Sequence, residues 1–324
     1  MPRSVVRQVV EFARTIRLSH TLFALPFALG TALLADPPCP EPWSLALLVA
    51  CMVTARTAAM GMNRVADAAY DARNPRTAGR AIPAGRLSRR IAAGLTAVSG
   101  GAFLALACGF YPLRNNPWPG LLAPALLAIL LAYSFSKRVT ALAHWILGLC
   151  LGLAPVGAWI ALRGALPAGG LAEWRGSAAL IVSPVPLVIG AAVMFWTAGF
   201  DILYSLQDVS ADRREGLRSI PARLGLGWAR AVAAGSHAAA LVLLEMVVLL
   251  EIGTPDGTAG PALQASVLLI AAAFLVQHVR ARRTTPEETA AAFFPLNAAV
   301  SIIWFAAVVV DVAWGLGAGI HWAP

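Results

Sequence analysis

Long apolar blocks alternate with short polar segments along this chain, and their lengths point to membrane-crossing helices. Apolar runs lie near residues 19–35, 43–62, 91–111, 119–135, 141–162, 177–200, 228–251, 262–279 and 291–316, each close to the roughly 17–25 residues a helix needs to cross a hydrocarbon core. Nine transmembrane helices are expected. A closed barrel is the other way to satisfy backbone groups in lipid, but it would show short segments of alternating polarity, which this sequence lacks. The expected fold class is an all-α polytopic membrane protein. Residues 1–324 read as a single membrane domain, because pieces such as 36–42 and 252–261 are short Pro/Gly-rich loops.

Composition agrees: of 324 residues 59% are hydrophobic and only 13% charged, with a mean hydropathy of +0.72, against roughly 25% charged in soluble domains. The polar segments differ by side. All of the 25 Lys and Arg except Arg114, Arg163 and Arg175 fall in the N-terminal segment, near the end of helix 2 or in the loops after helices 2, 4, 6 and 8. By the positive-inside rule those segments face the cytoplasm, which puts the C-terminus of a nine-helix chain outside a bacterial inner membrane. The net charge of +9 is thus mainly topogenic, with anionic membrane lipid as its partner and nucleic acid excluded. The basic N-terminal stretch has no small-residue cleavage site before its first apolar run, so no removable signal peptide is expected. Cys39, Cys51, Cys108 and Cys150 show neither zinc-site nor disulfide-scaffold spacing.

Two polar constellations break the apolar pattern. Asn63-x3-Asp67-x3-Asp71 and Tyr204-x3-Asp208-x3-Asp212 each occur where an apolar run meets an Arg-rich loop. A four-residue step drifts only about 40° on a continuing helix, so each set keeps to one face. The tails echo as well: Arg76-x3-Arg80 and Arg214-x3-Arg218 both lead into an Ile-Pro pair, Ile82-Pro83 and Ile220-Pro221, with spacers that differ by three residues. An internal duplication explains both. Facing carboxylates repel unless a cation lies between them, and all-oxygen ligands select hard ions such as Mg2+. Arginine forks suit phosphate. Carboxylates, Mg2+ and arginines describe a diphosphate site, and its opening onto an apolar bundle gives the ligand a long apolar tail, so a prenyl diphosphate is expected.

The segment 56–85, carrying Arg56, Asn63, Asp67, Asp71, Arg76, Arg80 and Pro83, resembles the first signature of the UbiA superfamily of intramembrane aromatic prenyltransferases. The segment 200–223, with Asp201, Tyr204, Asp208 and Asp212, resembles its second signature, and Tyr133-Ser-Phe-Ser-Lys137-Arg138 resembles the motif ending its fourth helix. The resemblance covers nearly the whole chain. It implies an isoprenyl-synthase-like bundle with its active site at the cytoplasmic face. There two Mg2+ ions would bridge Asp67, Asp71, Asp208 and Asp212 to the diphosphate, with Asn63 as a further oxygen ligand. Many members carry Asn-Asp where this chain has Asn63-Arg64, which removes one ligand.

Candidate diphosphate contacts are Arg56, Arg76, Arg80, Lys137, Arg138 and Arg218. Arg56 is singled out because it sits inside an apolar run, where an unpaired guanidinium is costly. For the aromatic acceptor the candidates are Arg17, which could pair with a carboxylate, Tyr133 and Tyr204 on the pocket wall, and Asp201, which would tune the acceptor or hold Arg56. His20 and His144 read as interfacial residues, Glu245 and Asp311 as structural groups. The segments 17–27, 200–208 and 216–224 look most like the 4-hydroxybenzoate polyprenyltransferase-like branch, much of which serves menaquinone assembly by the futalosine route. The expected reaction is Mg2+-dependent transfer of a polyprenyl group to a 4-hydroxybenzoate-like acceptor in menaquinone or ubiquinone biosynthesis. Naphthoate or porphyrin/chlorin rings are alternative acceptors, and an ion-coupled carrier is the alternative class, although carrier sites lie near the bilayer midplane.

Overall fold

In the computed structural model, which describes residues 5–16, 21, 23–37, 39–164, 183–252, 260–286, 288 and 293–317, proline marks where several helices begin. Pro26, Pro42, Pro119, Pro186 and Pro261 all stand in a first turn, where the missing N–H is one that has no helical partner anyway. The helices are α1 (Val5–Thr15), α2 (Leu25–Ala35), α3 (Pro42–Ala66), α4 (Ala68–Arg73), α5 (Arg89–Cys108), α6 (Phe110–Arg114) and α7 (Trp118–Ala132). They continue as α8 (Ser136–Val139), α9 (Ala143–Arg163), α10 (Val185–Ser205), α11 (Val209–Arg214), α12 (Ile220–Ile252), α13 (Pro261–Arg283) and α14 (Phe293–Gly317). No strand occurs among the described residues.

Eight helical segments are long and apolar enough to cross a membrane among the described residues, matching eight of the nine expected runs. The remaining run, 19–35, is represented by α2, whose 11 residues are too few to cross alone. Eight is therefore the number that the described residues support. The chain is a multi-pass membrane protein.

Helix α10 is the axis of the bundle, its span being 72% buried where the others range from 22% to 50%. It packs against α9 and α12. On α9 the pair Gly148-x3-Gly152 lets backbones meet: a Cβ at Gly152 would strike the Gly190 carbonyl, and one at Gly148 the Met194 carbonyl. Small residues four apart are the usual device for close helix contact in lipid. Aromatic rings fill the other side of α10, with Trp196 between Phe27 and Phe200 at centroid distances of 5.3 and 5.1 Å.

Two acids far from the Asp motifs, buried Asp311 and half-buried Glu245, have structural work. Asp311 on α14 accepts backbone N–H groups of Gly260, Ala262 and Leu263 at 2.8, 3.1 and 2.7 Å, so it caps α13 from another helix. Glu245 accepts from Gln264 at 3.0 and 3.2 Å. Asp311→Ala should strand those three donors and cost about 3 kcal/mol, read as a lowered unfolding midpoint in detergent.

Candidate active site

Each Asp motif is built around a break in its helix. Asp67 (φ −88°, ψ 2°) separates α3 from the six-residue α4, and Asp208 (φ −100°, ψ 1°) separates a short 3-10 turn, Leu206–Asp208, from the six-residue α11. Both occupy the sparsely populated bridge region. The second Asp of each motif, Asp71 or Asp212, then lies in the first turn of the short helix. A continuing helix was expected here, and the bend corrects it. The shared face survives because Asp67 N–H still bonds the Asn63 carbonyl at 2.9 Å and Asp71 N–H the Asp67 carbonyl at 2.8 Å. Bends with similar dihedrals at the corresponding Asp67 and Asp208 carry the internal duplication from sequence into backbone.

Both motifs line one cavity of about 1070 Å³. Its polar end holds Asn63, Asp67, Asp71, Asp208 and Asp212 together with Arg56, Arg76, Arg80, Lys137, Arg138, Tyr133, Tyr204 and Asp201. Its apolar arm is walled by Leu48, Met52 and Ala55 of α3, Phe103 of α5, Leu122 and Leu126 of α7 and Ala154 and Ala158 of α9. From Asn63 to Leu48 the arm follows α3 for about 22 Å at the helical rise. The pocket therefore joins a charged head to a long greasy tail.

Arginines hold the carboxylates in place. Arg76, from the first motif's loop, crosses to the second motif and grips Asp208 through Nε–Oδ1 at 2.8 Å and Nη2–Oδ2 at 2.7 Å, and Asn74 adds a 3.2 Å bond. Burial opposes the Arg76 charge, but its hydrogen bonds to Asp208 outweigh that and hold its pKa above the ordinary range. Arg80 turns back onto Asp71 at 2.7 and 2.8 Å. Asp67 takes Asn63 Nδ2 at 2.9 Å and Arg138 Nη2 at 3.3 Å, while burial pushes its carboxyl above the usual range against the Arg138 bond. At the mouth Arg73 chelates Glu215 at 2.5 to 2.9 Å, which draws the Glu215 pKa down. The two halves are thus tied to each other across the opening.

Several expected residues need separate comment. Arg56 faces the cavity and donates to the Ile16 carbonyl at 3.2 Å; it does not hold Asp201. That role belongs to His144, which is fully buried and not interfacial. Tyr204 lies under the Arg76 guanidinium, 5.6 Å from the ring centroid, and Tyr133 is on the wall. Arg218 is turned off the cavity: its Nη1 donates to the Val139 carbonyl at 2.6 Å and its backbone N–H to the Lys137 carbonyl at 2.7 Å. Arg17 and His20 lie outside the described residues. Arg64, counted in the sequence only as a lost ligand, instead adds a nearly buried cation to the wall, 3.9 Å from Asp71.

Residues 24–303 match the model of the UbiA prenyltransferase family. The chain belongs to that family. As a UbiA-family protein it is a prenyltransferase, and it is 29% identical over 302 residues to a protein of Aeromonas hydrophila named 4-hydroxybenzoate octaprenyltransferase, covering 93% of this chain and 95% of that one. It is 35% identical to an apo UbiA homologue from Aeropyrum pernix K1, at a TM-score of 0.74 over 91% of this chain and 98% of the other. A UbiA homologue from Archaeoglobus fulgidus, bound to DMAPP and Mg2+, shares the fold at a TM-score of 0.62 and 19% identity, over 93% and 99% of the two chains.

The UbiA site here suits a hard divalent ion by its chemistry. Among the described residues no three carboxylate, His or Cys side chains form a ready-made cage, so an ion would complete its shell from the diphosphate. The donors offered are all oxygen, and Asp212 Oδ2 is buried without a hydrogen-bond partner, an arrangement that is costly unless something binds there. Asp67, Asp71, Asp208, Asp212 and Asn63, whose Oδ1 is left over from its bond to Asp67, are the residues that would hold it.

Proposed function

We propose that this prenyltransferase moves a polyprenyl group from a prenyl diphosphate to a 4-hydroxybenzoate-like acceptor, in menaquinone or ubiquinone biosynthesis, with two Mg2+ ions. The observation that carries the reading is the single cavity in which acids and arginines from both halves crown an apolar arm. The relative named 4-hydroxybenzoate octaprenyltransferase supports the acceptor, and Archaeoglobus fulgidus homologues bound to DMAPP or GPP with Mg2+ support the donor and the metal. The basic end of the bundle would face the cytoplasm of a bacterial inner membrane.

When bound, Mg2+ supplies positive charge to the leaving diphosphate oxygens. The chain does the rest. Arg76, Arg80, Lys137, Arg138 and Arg56 bind and orient the diphosphate and stabilise charge that grows as the allylic C–O bond lengthens. Leu48, Phe103 and their neighbours hold the tail and exclude water, which keeps the cation from being hydrolysed. Tyr133 and Tyr204 present π faces to positive charge, and Asp201 faces the acceptor.

Purified protein in detergent, given Mg2+, prenyl diphosphates of graded length and either 4-hydroxybenzoate, a dihydroxynaphthoate or a porphyrin, tests this directly by mass spectrometry. A prenylated hydroxybenzoate that disappears with EDTA is expected. Product only from the naphthoate or porphyrin would move the acceptor class, and no product from any of them would defeat the reading.

A further inference from the structure

We infer that His144 is a positioning residue, one that fixes the Asp201 carboxylate for the ring hydroxyl of the acceptor. The inference rests on the proposed transfer to a hydroxylated ring. His144 begins α9 with no exposed surface, so it cannot touch substrate. Its two ring nitrogens are both engaged: Nε2 accepts the backbone N–H of Ile220 at 3.3 Å, and Nδ1 lies 2.6 Å from Asp201 Oδ2. A backbone N–H can only donate, so Nε2 is the bare nitrogen of the neutral ring and Nδ1 carries the proton toward Asp201. The bond is charge-assisted and short.

Asp201 itself opens onto the cavity, with 15% of its side chain exposed. It stands seven residues before Asp208 on the same run, about 10 Å nearer the apolar arm at the helical rise. The other acids of the cavity wall are the motif carboxylates, of which Asp67, Asp71 and Asp208 pair with arginines and Asp212 would hold the metal, and Glu11 and Glu215 of Arg pairs. One Asp201 oxygen is spent on His144, which leaves the second to accept a hydrogen bond from the ligand. An anion fixed below the diphosphate, where the allylic carbon meets its partner, selects an acceptor that carries an O–H and turns that oxygen toward the carboxylate. Electron density then rises on the ring positions beside it. Ile220 begins α12 directly after the second motif's tail, so the same imidazole also keys the carboxylate to that loop.

Removing the hydrogen-bond partner that orients a metal ligand costs about 10- to 100-fold; a loss of the same order is expected here, and it should fall on one substrate. His144→Leu is expected to raise the KM for 4-hydroxybenzoate by that factor while the affinity for prenyl diphosphate, measured by calorimetry, stays within about twofold. His144→Gln should recover most of the loss, because its amide can donate to Asp201 and accept from Ile220 at once. Adding Asp201→Asn to His144→Leu should bring little further loss, as coupled residues do. Independently of turnover, 15N NMR of labelled protein should show Nδ1 of His144 protonated and Nε2 bare at neutral pH. Equal losses for both substrates, Gln no better than Leu in folded protein, or a proton on Nε2 would each overturn the assignment. Wild-type protein inert toward every aromatic acceptor would instead defeat the proposed function, with the NMR result still deciding the dyad.

Discussion

Asp208→Ala should lower kcat/KM for the prenyl diphosphate by at least about a thousandfold, the scale expected when charge stabilisation of a developing leaving group is lost. Among the motif carboxylates of the described residues, Asp208 is gripped by the other motif's loop, through Arg76 and Asn74. Alanine therefore removes a proposed metal donor and also unfastens the loop that spans the cavity mouth. Stability should suffer less than activity. Breaking a fully buried pair costs about 3–5 kcal/mol, but the Arg76 side chain is 33% exposed and can take up water, so a much smaller loss is expected. Asp208→Asn separates the two roles: its amide oxygen can still accept from Arg76, yet the charge is gone. Steady-state kinetics and thermal unfolding in detergent should show both variants equally inactive, with the asparagine variant closer to wild type in stability. Turnover within tenfold of wild type for either would take Asp208 out of the reaction.

How much of this was legible beforehand depends on whether the information is local. The four-residue steps at Asn63, Asp67 and Asp71 put three groups on one face, and that inference survived a helix break because the i to i+4 hydrogen bonds run through it. The apolar runs located the crossing helices, within a few residues for 43–62 against Pro42–Ala66 but eight residues late for 228–251 against Ile220–Ile252. Pairings across the chain leave no such spacing. Arg76 and Asp208 are 132 positions apart, and His144 and Asp201 are 57 apart, so His144 reads as interfacial in the sequence and is buried only through the packing of α9 on α10.

Arg218 shows how an echo in sequence can mislead. It matches Arg80 in the Arg-x3-Arg-x-Ile-Pro tail, but it follows Asp212 by six residues where Arg80 follows Asp71 by nine. The longer loop lets Arg80 wrap back onto its own motif. The shorter one ends α11 with Gly216 at φ 68°, where Leu217 N–H bonds the Asp212 carbonyl at 2.8 Å, a left-handed turn that favours glycine. That turn sends Arg218 toward Val139. Asp212 is consequently left without the arginine that Asp71 enjoys, and its buried Oδ2 has no partner. The duplication is thus asymmetric where it matters chemically, with the second half supplying the barer carboxylate.

Arg76→Leu is expected to act in two opposite directions, and this is its value as a test. In the protein without substrate, Arg76 neutralises Asp208 and so competes with any cation for that carboxylate. Its charge is held on by Asp208 against the effect of burial, so deprotonation offers no release at any pH near neutrality. Only another anion can draw it away. A diphosphate arriving in the cavity is such an anion, and a guanidinium fork fits it in two-point fashion. Binding of the diphosphate would then free Asp208 for the metal in the same event. Leucine removes both sides of the exchange. Mn2+ binding to substrate-free protein, followed by EPR, should tighten by about three- to tenfold, because the lost competitor was an exposed-edge ion pair worth about 1 kcal/mol. Over the same change, kcat/KM for the prenyl diphosphate should fall about a hundred- to a thousandfold. Arg76→Lys should recover only part of this, since a point charge cannot make the two-point contact. Metal binding that weakens together with turnover would show that Arg76 supports the carboxylate cluster instead of guarding it.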